Sequence, residues 1–336
     1  MRVLHGVVEV AGQAALSALG LREVGVEARA WFEPHPFGYG IPPDLGPRLH
    51  GRAARAAERV WRLPGLLRRF DTFHFHAAAS FIPGNRDVPL IRRLGRRACV
   101  EFWGSEARLP RVEHQRNPFY VNAYHEDDAA NLRRLERWAA LSDGVAVMSD
   151  HSFDAHLLPL FSTVHVVGQR VDTRALAPVY PAPDARRPVL VHAPSNLAAK
   201  GTTFVRAAVE RLHRRGLEFE YVEVHGRSQA EGLAEYRRAD LVVDQLCAGS
   251  HGVFAAEAMS LGKPVVCYIL PELEPDYPAG FPIINASPLT VEAVLEEWLQ
   301  RPEERHARGV QSRAYAERVH DCREVARRLL RLYAQL

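Results

Sequence analysis

The stretch LVVDQLCAGSHGVFAAEAMSLGKPVVCYI, residues 241–269, decides the fold. LVVDQL (241–246) is a short apolar run bounded by the small and polar residues CAGSHG, which is strand character. VFAAEAMSLG (253–262) is built from helix formers and stops at Gly262, with Pro264 just beyond. PVVCYI (264–269) is extended again. Strand, turn, helix and strand in this order form the βαβ unit of a parallel sheet.

The same rhythm continues outward. VLVHA (189–193) is a strand, TTFVRAAVERLHRRG (202–216) a helix ending at Gly216, FEYVEVHG (219–226) a strand, and QAEGLAEYRRA a helix. Downstream, residues 290–300 and 313–335 read as amphipathic helices. Upstream lies ALAPVYPAPDARRP (175–188), whose prolines fit neither a helix interior nor a central strand, so it reads as a linker. The first half repeats the pattern. A strand over residues 2–10 precedes AGQAALSALGLREVG, helical in spacing and ended by Gly25, and then extended VEARAWF. Further short apolar runs fall at 71–75, 98–102, 145–148 and 164–167. The expectation is α/β: two Rossmann-like, doubly wound parallel-sheet domains, over 1–172 and 173–312, with a closing helix in 313–336. Ligands of such sheets bind beyond the carboxyl ends of the strands, so two of them can face each other across a cleft.

Length and composition agree. At 336 residues the chain suits two domains, and 47% hydrophobic with 25% charged residues is a globular composition. A formal net charge of +3 argues against a nucleic-acid binder. Cys99, Cys247, Cys267 and Cys322 show no CxxC spacing and read as buried, reduced thiols of a cytoplasmic protein. No signal-peptide pattern or membrane-spanning apolar run is present. Only two of the 43 basic residues are lysines, Lys200 and Lys263.

Three turns could carry chemistry. Gly249-Ser250-His251-Gly252 leads into a helix whose first amides, from Gly252 and Val253, form a site for phosphate. Glu257, one turn on, can accept two hydrogen bonds from a vicinal diol such as a ribose; the plain alternative is a solvated glutamate. HAPSNLAAKGTTF (192–204) places Ser195 and Asn196 in a loop and Lys200 before a helix, where its ammonium can reach a diphosphate. Lys263, between Gly262 and Pro264, reads as a structural turn residue. Ala11-Gly12-Gln13-Ala14 also joins a strand to a helix, and Gly12 lets a ligand approach closely, but the turn lacks GxGxxG.

Together these segments resemble family-4-type glycosyltransferases of GT-B architecture over nearly the whole chain. The resemblance is carried by the opening strand with AGQ and GLREVG, by FHFH (73–76) and EFWGSEAR (101–108), and by GQRVDTRALAP (168–178). AAKGT (198–202) and the E-x7-E-like block around Glu257 are its specific parts. It implies a transferase, of hexosyl groups, that uses a nucleotide-diphosphate sugar, retains configuration and needs neither metal nor further cofactor. It implies Lys200 and Glu257 as catalytic, and Gly12, Gln13, Ser195, Asn196, Gly252 and Val253 as further donor contacts. Where the family has its first glutamate, an arginine and a histidine, this chain has Gly249, Ser195 and Trp103. The alternative is therefore a non-catalytic GT-B protein that binds nucleotide or sugar as a partner or scaffold; a sugar-nucleotide epimerase is a third.

His74, His76, Trp103, Ser105 and Glu106 sit at strand ends where the resemblance implies acceptor or cleft contacts. The acceptor could be a glycan, a lipid-linked sugar or a small molecule. His-x-His could also simply pack in the interior, or ligate a metal, but no third ligand follows at suitable spacing, so no metal is expected. Residues 48–69, basic and amphipathic around Trp61, could lie on an anionic membrane, or form a solvated helix face.

Overall fold

The computed structural model describes residues 1–33 and 41–336. The chain runs β1 (Arg2–Val7), α1 (Gln13–Glu23), β2 (Glu27–Phe32), α2 (Arg52–Arg69), β3 (Thr72–His76), α3 (Val88–Arg93), β4 (Arg97–Phe102) and α4 (Pro110–Arg116). It continues through α5 (Asp128–Leu141), β5 (Val145–Met148), α6 (Asp154–Leu157), β6 (Thr163–Val166), β7 (Val189–His192), α7 (Thr202–Arg214), β8 (Glu220–Glu223) and α8 (Gln229–Arg238). Then come β9 (Leu241–Val243), α9 (Val253–Ser260), β10 (Val265–Cys267), β11 (Ile284–Asn285), α10 (Val291–Leu299), α11 (Pro302–Tyr315) and α12 (Cys322–Gln335).

Two compact units result. The first holds Met1–Pro110, Glu126–Arg170 and Cys322–Leu336; the second holds Arg111–His125 and Val171–Asp321. The first contains a six-stranded parallel sheet in the order β2-β1-β3-β4-β5-β6. The second contains a five-stranded parallel sheet in the order β11-β10-β9-β7-β8. Each order reverses once, between β1 and β3 and between β7 and β9. Loops leaving the strands diverge there, which is where an open α/β sheet holds a ligand.

Both faces of the second sheet are covered by apolar clusters, one including Val191, Val242 and Met259, the other Leu190, Val243 and Leu295. This is why strands such as VLVH are apolar without alternation. In the first unit α1 and α12 pack together over the sheet. A Cβ at Gly20 would lie 2.1 Å from the Cys322 carbonyl oxygen, so only glycine permits this approach.

Two elements differ from expectation. Residues 313–335 are not one helix: α11 ends at Tyr315, a π-helical turn covers Ala316–His320, and Asp321 is extended. The amide of Val171 donates to the His320 carbonyl and Thr173 Oγ1 to the Asp321 carboxylate, a tertiary contact that periodicity cannot register. The last short strand, β11, has too few residues to give a pattern.

Candidate functional site

Lys200 and Glu257 belong to the second unit, at the carboxyl ends of β7 and β9. His192 closes β7 and ties the neighbouring elements together. Its Nδ1 donates to the Val243 carbonyl at 2.9 Å and its Nε2 accepts from Thr202 Oγ1 at 2.9 Å. Burial holds its pKa below the usual histidine range, in keeping with the neutral tautomer these bonds require. Asn196 Oδ1 accepts from the amides of Ala198 and Ala199, both at 3.0 Å, and its carbonyl accepts from Lys200 N at 3.0 Å. The expected donor residue Asn196 thus spends its side-chain oxygen on shaping the lysine loop. Ser195 beside it is exposed.

The Lys200 ammonium is held by two side chains that sequence reasoning did not single out. Nζ donates to Gln245 Oε1 at 2.6 Å and to Asp244 Oδ1 at 3.2 Å. Asp244 is fully buried, while the Lys200 side chain keeps 15% exposure. The second Asp244 oxygen accepts from Gly252 N at 2.5 Å. This corrects one expectation: the Gly252 amide is already satisfied by Asp244. The amides of Val253 and Phe254 receive no bond among the described residues and remain the open donors of the α9 N-terminus. The signal for Asp244 was available, since an acid directly after an apolar strand and eight residues before Gly252 is unusual in so buried a run.

On α9, Phe254, Ala255, Ala256, Ala258, Met259 and Ser260 are buried, whereas Val253 and Glu257 keep partial exposure on one side. Glu257 Oε1 accepts from Gln229 Nε2 at 2.8 Å. Burial lifts its carboxyl to about 7, against the opposing pull of the Gln229 bond. Gly249 has φ +77°, and a Cβ there would lie 2.7 Å from Leu270 Cγ and 3.3 Å from Asn117 Nδ2. Leu270 and Asn117 fill the space that a side chain at 249 would take. Lys263 is buried, with Nζ donating to the Arg237 carbonyl at 2.8 Å.

In the first unit, His74 and His76 do not line a surface. Both are fully buried, as are His5, Glu101, Arg170 and Tyr333. Strand register explains the cluster: His5 pairs with His74, and His76 with Glu101, so all four side chains share one face of the sheet. The indole of Trp103, only partly exposed, sets the direction of every bond in it. Its Nε1–H can only donate, and it meets His76 Nδ1 at 3.1 Å. His76 Nε2 therefore donates to His5 Nδ1 at 3.0 Å, and His5 Nε2 to the Tyr333 hydroxyl at 3.3 Å. Tyr333 in turn donates to His74 Nδ1 at 2.6 Å. His74 Nε2 then faces Glu101 Oε2 at 3.1 Å, with poor alignment. Arg170 clamps Glu101 through both oxygens, at 2.5 and 2.8 Å. Burial holds all three histidines well below their usual pKa, so each is neutral, as the chain of bonds requires. His74, His76 and Glu101 are close enough to hold a cation together; His76 and Glu101 spend their ligand atoms on Trp103, His5 and Arg170, whereas His74 Nε2 has no hydrogen-bond partner.

Gln13 is buried as well. Its amide pairs with the backbone of Arg170, donating to the carbonyl at 3.0 Å and accepting from the amide at 2.8 Å. Gly12, with φ +80°, opens α1, and Glu9 accepts from the amides of Ala14 and Ala15, both at 3.1 Å. A carboxylate of the chain itself thus occupies that helix start. Glu106 Oε1 accepts from Trp103 N at 2.5 Å, and the Ser105 carbonyl accepts from Asn131 Nδ2 at 2.7 Å. These bonds shape the loop after β4.

No family model and no curated protein sequence matches the chain. Solved structures do match. Sucrose-phosphate synthase from Thermosynechococcus elongatus is similar at 15% identity with a TM-score of 0.66, over 100% of this chain and 99% of that one. HepE from Anabaena, in complex with UDP and glucose, is similar at 12% identity with a TM-score of 0.64, over 100% of both chains.

The chain has the GT-B fold.

A UDP-N-acetylglucosamine 2-epimerase, so described, from Listeria monocytogenes matches at 12% identity with a TM-score of 0.57, over 99% of this chain and 96% of that one. Neighbours of different described activity thus share this fold. Within that frame Lys200, Asp244, Gln245, Gly252 and Glu257 gather at one sheet's reversal point, whereas the histidines fall in the interior of the other unit.

Proposed function

We propose that this chain is a glycosyltransferase that moves a sugar from a nucleotide-diphosphate sugar to an acceptor, with retention and without a metal or further cofactor. The observation that carries the reading is the arrangement around Lys200. Asp244 and Gln245 hold its ammonium beside Gly252, the α9 N-terminus keeps open amides at Val253 and Phe254, and Glu257 follows one turn later. A pinned cation and oriented amides stabilise charge developing on a leaving diphosphate without reorganising. Glu257 is the acceptor for a ribose diol. The similar HepE structure holds UDP and glucose, which supports the same ligand class here.

The second reading, a GT-B protein that binds nucleotide or sugar without turnover, is favoured by one observation: Leu270 and Asn117 fill the place of a glutamate at 249. Incubation with labelled UDP-, GDP- and ADP-sugars separates the readings. Release of nucleoside diphosphate only with an acceptor supports transfer; binding without release in any combination overturns it. Epimerised sugar nucleotide, formed without an acceptor and without net release of nucleoside diphosphate, points to the epimerase.

We further propose a cytoplasmic protein that touches an anionic membrane through the α2 region. Trp61 is 80% exposed and Val60 52%, among six arginines of the helix. No described helix is long and apolar enough to cross a membrane. Vesicles with and without anionic lipid test this: binding that Trp61→Ala leaves unchanged would overturn it.

A further inference from the structure

The loop after β3 and one side of α5 enclose an open pocket of about 450 Å³, within the size range of small-molecule sites. It belongs wholly to the first unit, beside the reversal between β1 and β3. Four arginines line it, Arg59, Arg133, Arg134 and Arg137, and no described acidic residue does. Helical spacing puts Ala130, Arg133, Arg134 and Arg137 on one side of α5, with the small Ala130 leaving room beside the three guanidinium groups.

Three of these cations, Arg133, Arg134 and Arg137, have no acidic partner among the described residues. Arg133 has no hydrogen bond or ion pair among the described residues. Arg137 donates to the Gly84 carbonyl at 3.0 Å, and Arg134 to the Glu106 carbonyl at 2.8 Å and to Asn131; all are neutral partners. Arg59 pairs with Glu33 at 2.8 Å, but its Nε is buried with no partner. Asp87, which bonds the lining residue Ser80, is taken up by the Ser80 hydroxyl and the amides of Phe81 and Ile82. Like charges three and four residues apart on a helix repel, and an anion between them removes that repulsion. The opposite wall is held in an uncommon shape: Ala78 and Asn85, both lining it, have φ of +56° and +57°.

We propose that this pocket binds a phosphate group, free or esterified to a small organic molecule. Planar guanidinium groups from two directions match a tetrahedral dianion. The proposal does not rest on the reading of Lys200 and Glu257, which lie in the other unit. Isothermal titration of the full chain with inorganic phosphate, glucose 6-phosphate and glucose tests it, in the wild type, in Arg133→Gln/Arg137→Gln and in Arg133→Lys/Arg137→Lys. The glutamine pair is expected to bind phosphate compounds at least about tenfold more weakly, since each lost charge-assisted bond carries that much. The lysine pair keeps the charge and is expected to stay much closer to the wild type. Both pairs change exposed or half-exposed positions, so circular dichroism and melting temperature should match the wild type. Tighter binding of glucose 6-phosphate than of phosphate assigns the site to an ester; equal binding assigns it to the free anion. Equal affinity of the glutamine pair and the wild type, or no preference for glucose 6-phosphate over glucose, overturns the proposal.

Discussion

Glu257 links the proposed ligand to pH. Its carboxyl sits at about 7 instead of the ordinary 4.5, because burial penalises its charge. Between those values the folded chain keeps a proton that the unfolded chain has lost, so stability falls as pH rises through this window. At about 1.4 kcal/mol per unit, the loss by pH 8 is at most about 3.5 kcal/mol. Glu257→Gln removes the titration while keeping an oxygen for Gln229. The variant should match the wild type at pH 5 and exceed it in stability at pH 8. Ligand binding turns the same group to use. A ribose diol donating to the carboxylate favours the charged form by about 1.5–3 kcal/mol, which draws the carboxyl down by about one to two units. Affinity for a nucleoside diphosphate should then rise about 10- to 50-fold from pH 5 to pH 8, with proton release on binding. The phosphate's own ionisation near about 6 adds to this, but equally in Glu257→Gln, so the difference between the two profiles isolates the glutamate. The assay is isothermal titration at pH 5, 6.5 and 8 with whichever of UDP, GDP or ADP gives the largest thermal shift. Parallel profiles for the two proteins would refute the ribose role.

Four further outcomes are expected. Lys200→Ala should weaken diphosphate binding more than nucleoside binding, and should lower stability by about 3 kcal/mol because buried Asp244 loses its cation; Lys200→Ala/Asp244→Asn should recover much of that stability in chemical denaturation but not the affinity. Tyr333→Phe should destabilise by about 1–3 kcal/mol for each nitrogen left without its partner, His74 Nδ1 and His5 Nε2; a cost below about 0.5 kcal/mol in urea unfolding would argue against the deduced bond direction. The three neutral histidines must gain protons on unfolding, so in Glu257→Gln, where the opposing glutamate titration is absent, stability to urea should fall by about 3 kcal/mol between pH 6.5 and 5.5. Gly249→Glu should not restore a family-like contact but destabilise, because φ is +77° and Leu270 lies in the way; Gly249→Glu/Leu270→Ala should relieve only the steric part, as read by melting temperature.

The order of strands and helices was legible in the chain itself. Apolar runs such as VLVH and LVV lie against buried faces of a sheet, and Gly25 and Gly216 follow the ends of α1 and α7 with positive φ. The placement of Lys200 and Glu257 beside helix starts was legible too, because each stands a fixed distance from one. Partnership was not. Asp244 and Gln245 reach Lys200 only because β7 and β9 lie side by side, a pairing across more than forty residues that no local pattern encodes. The His-x-His of β3 shows that both rings share a face, but not whether that face meets solvent. Tertiary packing decided it, by bringing His5 from β1, Arg170 from beyond β6 and Tyr333 from α12 against the same rings. Local propensity and spacing determine the elements and their ends; the charge state and accessibility of a side chain depend on what the rest of the chain places around it.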